Sequence, residues 1–149
     1  MTFPEPRVGL VIRYAYLWRD EARAGREEGR KDRPCVIVIA TPQGRGRVLA
    51  TVAPITHLRP TEDEAANAVE LPAATKARLG LDDLPSWALA SDLNQFVWPG
   101  VDLRPATRDG EHAAYGFLPA TLTEALRARI LRLAQSGAEL TTQRTDVDG

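Results

Sequence analysis

The sequence predicts a mainly β chain with helices (α+β): a small, strongly bent sheet or barrel capped by a C-terminal helix. Three observations predict it. Short apolar stretches with strand-like alternation recur from Val8 to Phe117, each ended by a turn or a polar stretch. One longer amphipathic stretch follows, headed by Thr121 and stopped by Gly137. The chain has 149 residues and no internal repeat, which suits a single domain over 1–137.

Val8 to Trp18 reads as a first strand, with Val8, Leu10, Ile12, Tyr14, Tyr16 and Trp18 on one face. Arg19 to Asp32 is charged at most positions and reads as a long exposed loop, either a solvated connector or a flap facing substrate. Pro34 to Thr41 is a near-continuous apolar strand. Gln43-Gly44-Arg45-Gly46 is a turn, and Arg47 to Ile55 completes a hairpin. Leu58 to Ala66 is polar loop, and Ala68 to Leu71 a short strand. Pro72 to Leu79 suits a two-turn helix, with proline in its first turn and Gly80 past its end. Ser86 to Ala90, Phe96 to Trp98, Leu103 to Arg108 and Ala113 to Phe117 are further strand-like pieces, the last two around the turn Asp109-Gly110. Thr121 and Glu124 form a Thr-x-x-Glu capping box, and Leu122, Leu126, Ile130 and Leu133 make one apolar face. Residues 138–149 are polar and are expected to be a disordered tail.

Apolar residues make up 44% and charged residues 26%, so collagen-like, mucin-like and wholly disordered classes are excluded. No apolar run approaches a membrane span, and the first residues lack a signal-peptide pattern, so a cytoplasmic protein with no membrane partner is expected. Cys35 is the single cysteine; it permits no internal disulfide and, at the head of an apolar strand, is expected to be an inert buried thiol. The net charge of −1 hides an asymmetry: residues 1–60 hold 11 basic and 6 acidic side chains, the remainder 8 and 14. Seventeen of the 19 basic residues are arginines, whose planar fork suits phosphate. A basic half is what a nucleic-acid face requires, although genomic base composition also yields arginine-rich chains.

No phosphate-cradling glycine loop and no Gly-x-Ser-x-Gly elbow is present, and neither histidine has metal-ligand spacing. Two places stand out. Arg33 projects beside Pro34, where the polar loop meets a buried strand. Thr56 and His57 end the strand expected to pair with it. The hairpin brings Arg33 and Thr56 to one end of the sheet, where a guanidinium, a hydroxyl and an imidazole would converge on an anion. Taken singly, Thr56 is as readily a strand-end residue bonding its own backbone, and His57 a surface histidine.

In order and spacing, these residues resemble the MazF/PemK family of toxin endoribonucleases. The resemblance rests on Glu28 and Gly29 in the polar loop, Arg33-Pro34, the strand Cys35 to Ile39, Pro54-Ile55-Thr56, and the stretch Trp87 to Trp98 containing Asp92, Asn94 and Gln95. Here Asn94 or Gln95 stands where the family commonly has a basic residue. The resemblance implies an SH3-like small barrel of the MazF/Kid/CcdB toxin type. It implies cleavage of single-stranded RNA, mRNA in particular, by attack of the ribose 2′-OH without metal or cofactor. It also implies a homodimer and a cognate acidic antitoxin. Arg33 and Thr56 fall on the family's catalytic positions, and His57 is added here as acid or base. Glu28, Arg26, Arg30, Lys31, Trp18, Asp92 and Asn94 are the expected RNA contacts, and Tyr14, Trp18, Phe96 and Trp98 are candidates to stack bases or to pack the core. Fold alone does not fix function. A same-fold inhibitor of a protein target such as gyrase, or an RNA binder without chemistry, is the alternative.

Overall fold

The computed structural model describes residues 1–25 and 31–144. Nine strands build one mostly antiparallel sheet. They are β1 (Leu10–Tyr16), β2 (Lys31–Gly44), β3 (Arg47–Thr56), β4 (Ala68–Glu70), β5 (Trp87–Leu89), β6 (Leu93–Val97), β7 (Leu103–Arg104), β8 (Ala114–Phe117) and β9 (Thr141–Gln143). Three α-helices accompany them among the described residues: α1 (Arg19–Arg23), α2 (Ala73–Leu79) and α3 (Ala120–Gln135). The strand path runs β4-β5-β3-β2-β1-β7. Off it, β8 also pairs with β1, and β3 pairs with β6 through Leu49–Val52 and with β5 through Ile55–Thr56. One long strand thus serves three neighbours, β2, β5 and β6, and the sheet curls into a small, open, barrel-like body.

The hairpin of β2 and β3 forms as its alternation and Gly-rich turn require. Its register pairs Cys35 with Pro54 and Val36 with Ala53, then slips between Ile37 and Ile39. Such an irregularity sharpens the local twist and helps the sheet bend. Because side chains alternate, each face of β1–β2–β3 carries its own core. One holds Val36, Val38, Ala53 and Ile55 against Leu126 and Ile130 of α3 and Leu79 of α2. The other holds Ile12, Tyr14, Tyr16, Cys35, Ile37, Val52 and Phe96. Tyr14 stacks on Phe96 with centroids 4.6 Å apart, and both are fully buried, so these two aromatics pack the core rather than face RNA. Burying each large side chain of this kind stabilises the fold by ~1.5–3 kcal/mol.

Four expectations are corrected. The stretch Arg19 to Asp32 is not loop throughout: α1 begins it, and β2 starts at Lys31. The helix is held at its start by two carboxylates, with Trp18 N–H donating to Glu21 Oε1 (3.1 Å) and Arg19 N–H to Asp92 Oδ2 (3.2 Å). The second partner is distant in sequence, so charge density alone concealed the helix. The expected capping box is absent. Pro119 presets the entry, α3 starts at Ala120, and Thr121 falls inside the first turn while Glu124 pairs with Arg127 (3.1 Å). The sixth strand starts at Leu93 rather than Phe96.

The tail is also ordered over its described part. Leu140 is buried, β9 runs parallel to β6, and Arg144 is only 2% exposed. The Arg144 guanidinium donates to Ala15 O (2.7 Å), Asn94 Oδ1 (3.1 Å) and Asp102 Oδ2 (2.9 Å), and lies 5.2 Å from the centre of the Tyr14 ring. A mostly polar segment is thereby fixed by one buried leucine, one buried ion pair and a short ladder.

Candidate active site

A cleft of about 260 Å³ opens at the end of the sheet where β1, β2 and β3 meet the loop after α2. The strand order explains its chemistry. Charged residues crowd the start of β2, and β3 ends there on Ile55 and Thr56, with His57 just beyond it. Arg13, Lys31, Arg33 and Lys76 bring four cations to its walls, against the carboxylates of Asp32 and Asp82. Both lysines of the chain line this one cleft.

Arg33 is half-buried. Its guanidinium carbon lies 4.9 Å from the centre of the Trp18 ring, a cation–π contact that holds the side chain in place. Its Nε is buried and has no hydrogen-bond partner among the described residues. A buried, charged donor left in that state is costly unless a ligand completes it. Lys31 is exposed and, with Trp18 and Arg33, also lines a second hollow bounded by Tyr16, Asp20 and Glu21.

Extending the β2–β3 register by two residues from Cys35 and Pro54 brings Arg33 level with Thr56. The two positions share one end of the hairpin. Thr56 is largely buried, does not line the cleft, and accepts a hydrogen bond at Oγ1 from the N–H of Leu58 (3.1 Å). His57 does line the cleft and is half-exposed; its Nε2 lies 2.7 Å from Asp82 Oδ2.

Sequence reasoning missed the group behind His57. Asp82 Oδ1 accepts from Lys76 Nζ (2.7 Å) and from Leu84 N–H (3.1 Å). Lys76 is 3% exposed, and its ammonium also donates to Ser86 Oγ (2.6 Å) and Leu84 O. Three donors thus meet three acceptors. A signal existed, since Lys76 is one of two lysines in an arginine-rich chain, but nothing local showed that it turns inward. Replacing Lys76 by methionine strips Asp82 of its counter-charge. Because Asp82 is half-open to water, the expected loss is about 2 kcal/mol, short of the ~3–5 kcal/mol for pairs buried on both sides; urea denaturation measures it.

Burial pushes the Asp82 carboxyl up, but hydrogen bonds from Lys76 and Leu84 and the charges of Lys76 and His57 outweigh it, leaving its pKa below the ordinary value. A carboxylate depressed in the folded state adds stability above its unfolded pKa, and that contribution is lost as pH falls through the folded pKa. The stability gap between the wild-type protein and Asp82→Asn is therefore expected to narrow as the pH drops from about 7 toward about 3. Urea midpoints across that range test it.

Other expected contacts lie elsewhere. Asp92 accepts from Tyr16 OH (2.7 Å) and caps α1; burial raises its pKa despite these bonds. Asn94 is fully buried: its side chain accepts from Leu17 N–H (3.0 Å) and donates to Leu17 O (2.7 Å). It braces the end of β1 and has no surface for RNA, which corrects that expectation. The interior position on β6 selects a compact amide there. Burial likewise pushes the Cys35 thiol up, well away from a reactive thiolate. Arg26, Glu28 and Arg30 lie outside the described residues.

No family model and no curated protein matches the chain. Among solved structures, it is similar to an endoribonuclease in complex with its cognate antitoxin from a mycobacterial species. The match covers 88% of this chain and 96% of that one, with a TM-score of 0.54 and 14% sequence identity. The two share a fold: a mostly antiparallel, barrel-like but open sheet with a C-terminal helix.

Proposed function

We propose that this chain is an endoribonuclease toxin of a toxin–antitoxin pair, of the MazF/PemK type, cutting single-stranded RNA at a specific sequence by 2′-OH attack without a metal. The observation that carries this reading is the Arg33 guanidinium at the wall of a cleft with more cations than carboxylates, its Nε without a hydrogen-bond partner among the described residues. A phosphodiester anion in the cleft pairs with that guanidinium. Charge gathers on the phosphoryl oxygens as the 2′-oxygen adds, and a preorganised guanidinium stabilises it most at that moment. The similar fold of a solved endoribonuclease supports the same reading.

Roles follow from placement. Arg33 binds the scissile phosphate. His57, at the cleft wall, exchanges a proton with the reacting oxygens. Thr56 holds the turn that presents His57, through its bond to Leu58 N–H. Lys31 and the half-exposed Trp18 extend the surface toward neighbouring phosphates and bases. RNA, an acidic antitoxin covering the basic cleft, and a second copy of the chain are the partners this reading carries, in a cytoplasmic setting. No described helix is long and apolar enough to cross a membrane.

The test is primer extension on a long RNA incubated with purified protein in EDTA. Discrete stops, with products bearing 5′-hydroxyls, are expected. RNA left intact by folded protein overturns the proposal, and inhibition of gyrase by the same sample would favour the protein-binding alternative.

A further inference from the structure

The geometry points to Asp82, moored by Lys76, as the positioning residue that fixes the tautomer of His57 and so assigns the general-base role to His57 Nδ1. This rests on the nuclease reading above and deepens it.

The argument begins at the ammonium. Lys76 sits inside the protein and spends its three protons on Asp82 Oδ1, Ser86 Oγ and Leu84 O. With Leu84 N–H also on Oδ1, that oxygen is committed and the carboxylate plane is set. The other oxygen, Oδ2, is turned to His57 Nε2 at 2.7 Å. An ionised carboxylate only accepts hydrogen bonds, so a neutral imidazole facing it carries its proton on Nε2. The lone pair then resides on Nδ1, the ring nitrogen outside this bond, on a side chain that lines the cleft with Arg33.

In the reaction, Nδ1 takes the proton of the 2′-OH as the bond from O2′ to phosphorus forms. The bond from phosphorus to O5′ breaks, and its electron pair leaves with O5′. The departing oxygen takes a proton from water, and the resulting hydroxide takes the proton held by the imidazolium. The products are a 2′,3′-cyclic phosphate and a 5′-hydroxyl, and the base is restored. While His57 holds the extra proton, Asp82 stabilises the positive ring.

Long-range 1H–15N correlation spectra of the histidine rings at alkaline pH test the assignment, with His112→Gln identifying the His57 signals. The wild-type spectrum should show the proton on Nε2. In Asp82→Asn, the amide oxygen stays with Lys76 and the NH2 group faces the ring, driving the proton to Nδ1 and removing the base. The kcat for RNA cleavage should fall about a hundredfold or more, with KM within about twofold, since the substrate phosphate is held elsewhere. A wild-type proton on Nδ1, or an unchanged tautomer and kcat in Asp82→Asn, overturns the inference even if the protein cuts RNA. The Nε2 tautomer in a protein that cuts no RNA overturns the nuclease reading and leaves the Asp82 clamp standing.

Discussion

Arg33→Ala is expected to reduce RNA cleavage by about a hundred- to a thousandfold in kcat while the protein stays folded. That range corresponds to the ~3–4 kcal/mol typical of one preorganised charged donor at a developing oxyanion. The structure explains why stability is largely spared. The buried Nε of Arg33 has no hydrogen-bond partner among the described residues to lose, and truncation removes that donor along with the contact to Trp18. Arg33→Lys separates charge from shape. It keeps a cation but loses the planar fork and the stacking on Trp18, so an intermediate rate is expected. Gel-based cleavage in EDTA, with thermal unfolding of each variant, gives the answer. Undiminished cutting by folded Arg33→Ala would remove Arg33 from the mechanism.

Arg144→Met is expected to cost the most stability: about 3–5 kcal/mol, or roughly 10 °C in Tm. The side chain is 2% exposed and joins three elements otherwise remote in sequence, through Ala15 O on β1, Asn94 on β6 and Asp102 before β7. Methionine fills part of the volume but leaves Asp102 without the guanidinium. The Asn94 side chain that accepts from Arg144 also holds Leu17, so loosening should spread to the end of β1 and the start of α1. Thermal denaturation with hydrogen exchange at Leu17 reads both effects. A Tm equal to that of the wild-type protein would show that the last described residues are dispensable.

These two arginines differ in how legible they were. Arg33 is marked by its neighbours: a polar stretch ends, Pro34 stiffens the chain, and an apolar strand begins. Strand alternation and a Gly-rich turn then suffice to bring it level with Thr56, because hairpin register is set locally. Arg144 lies in a polar segment with no periodicity, and its partners are up to 129 positions away. No local pattern encodes that pairing. Asp82 and Lys76 fall between these cases. They are six residues apart, close enough to meet, yet which way each side chain turns depends on Ser86, Leu84 and the fold of the loop.

Asn94 makes the same point from the other side. Its position near Asp92 invited a binding role, and only three-dimensional packing shows that its amide is consumed by Leu17 and Arg144. The sequence by itself determined the mainly β class, the central hairpin, the apolar face of the last helix and the basic rim at Arg33, since periodicity and turn chemistry act over a few residues. The tertiary structure alone decided which polar groups are buried, the order of residues 138–144, and the carboxylate behind His57. Those depend on contacts between distant segments, where each donor takes whichever acceptor the folded chain brings to it.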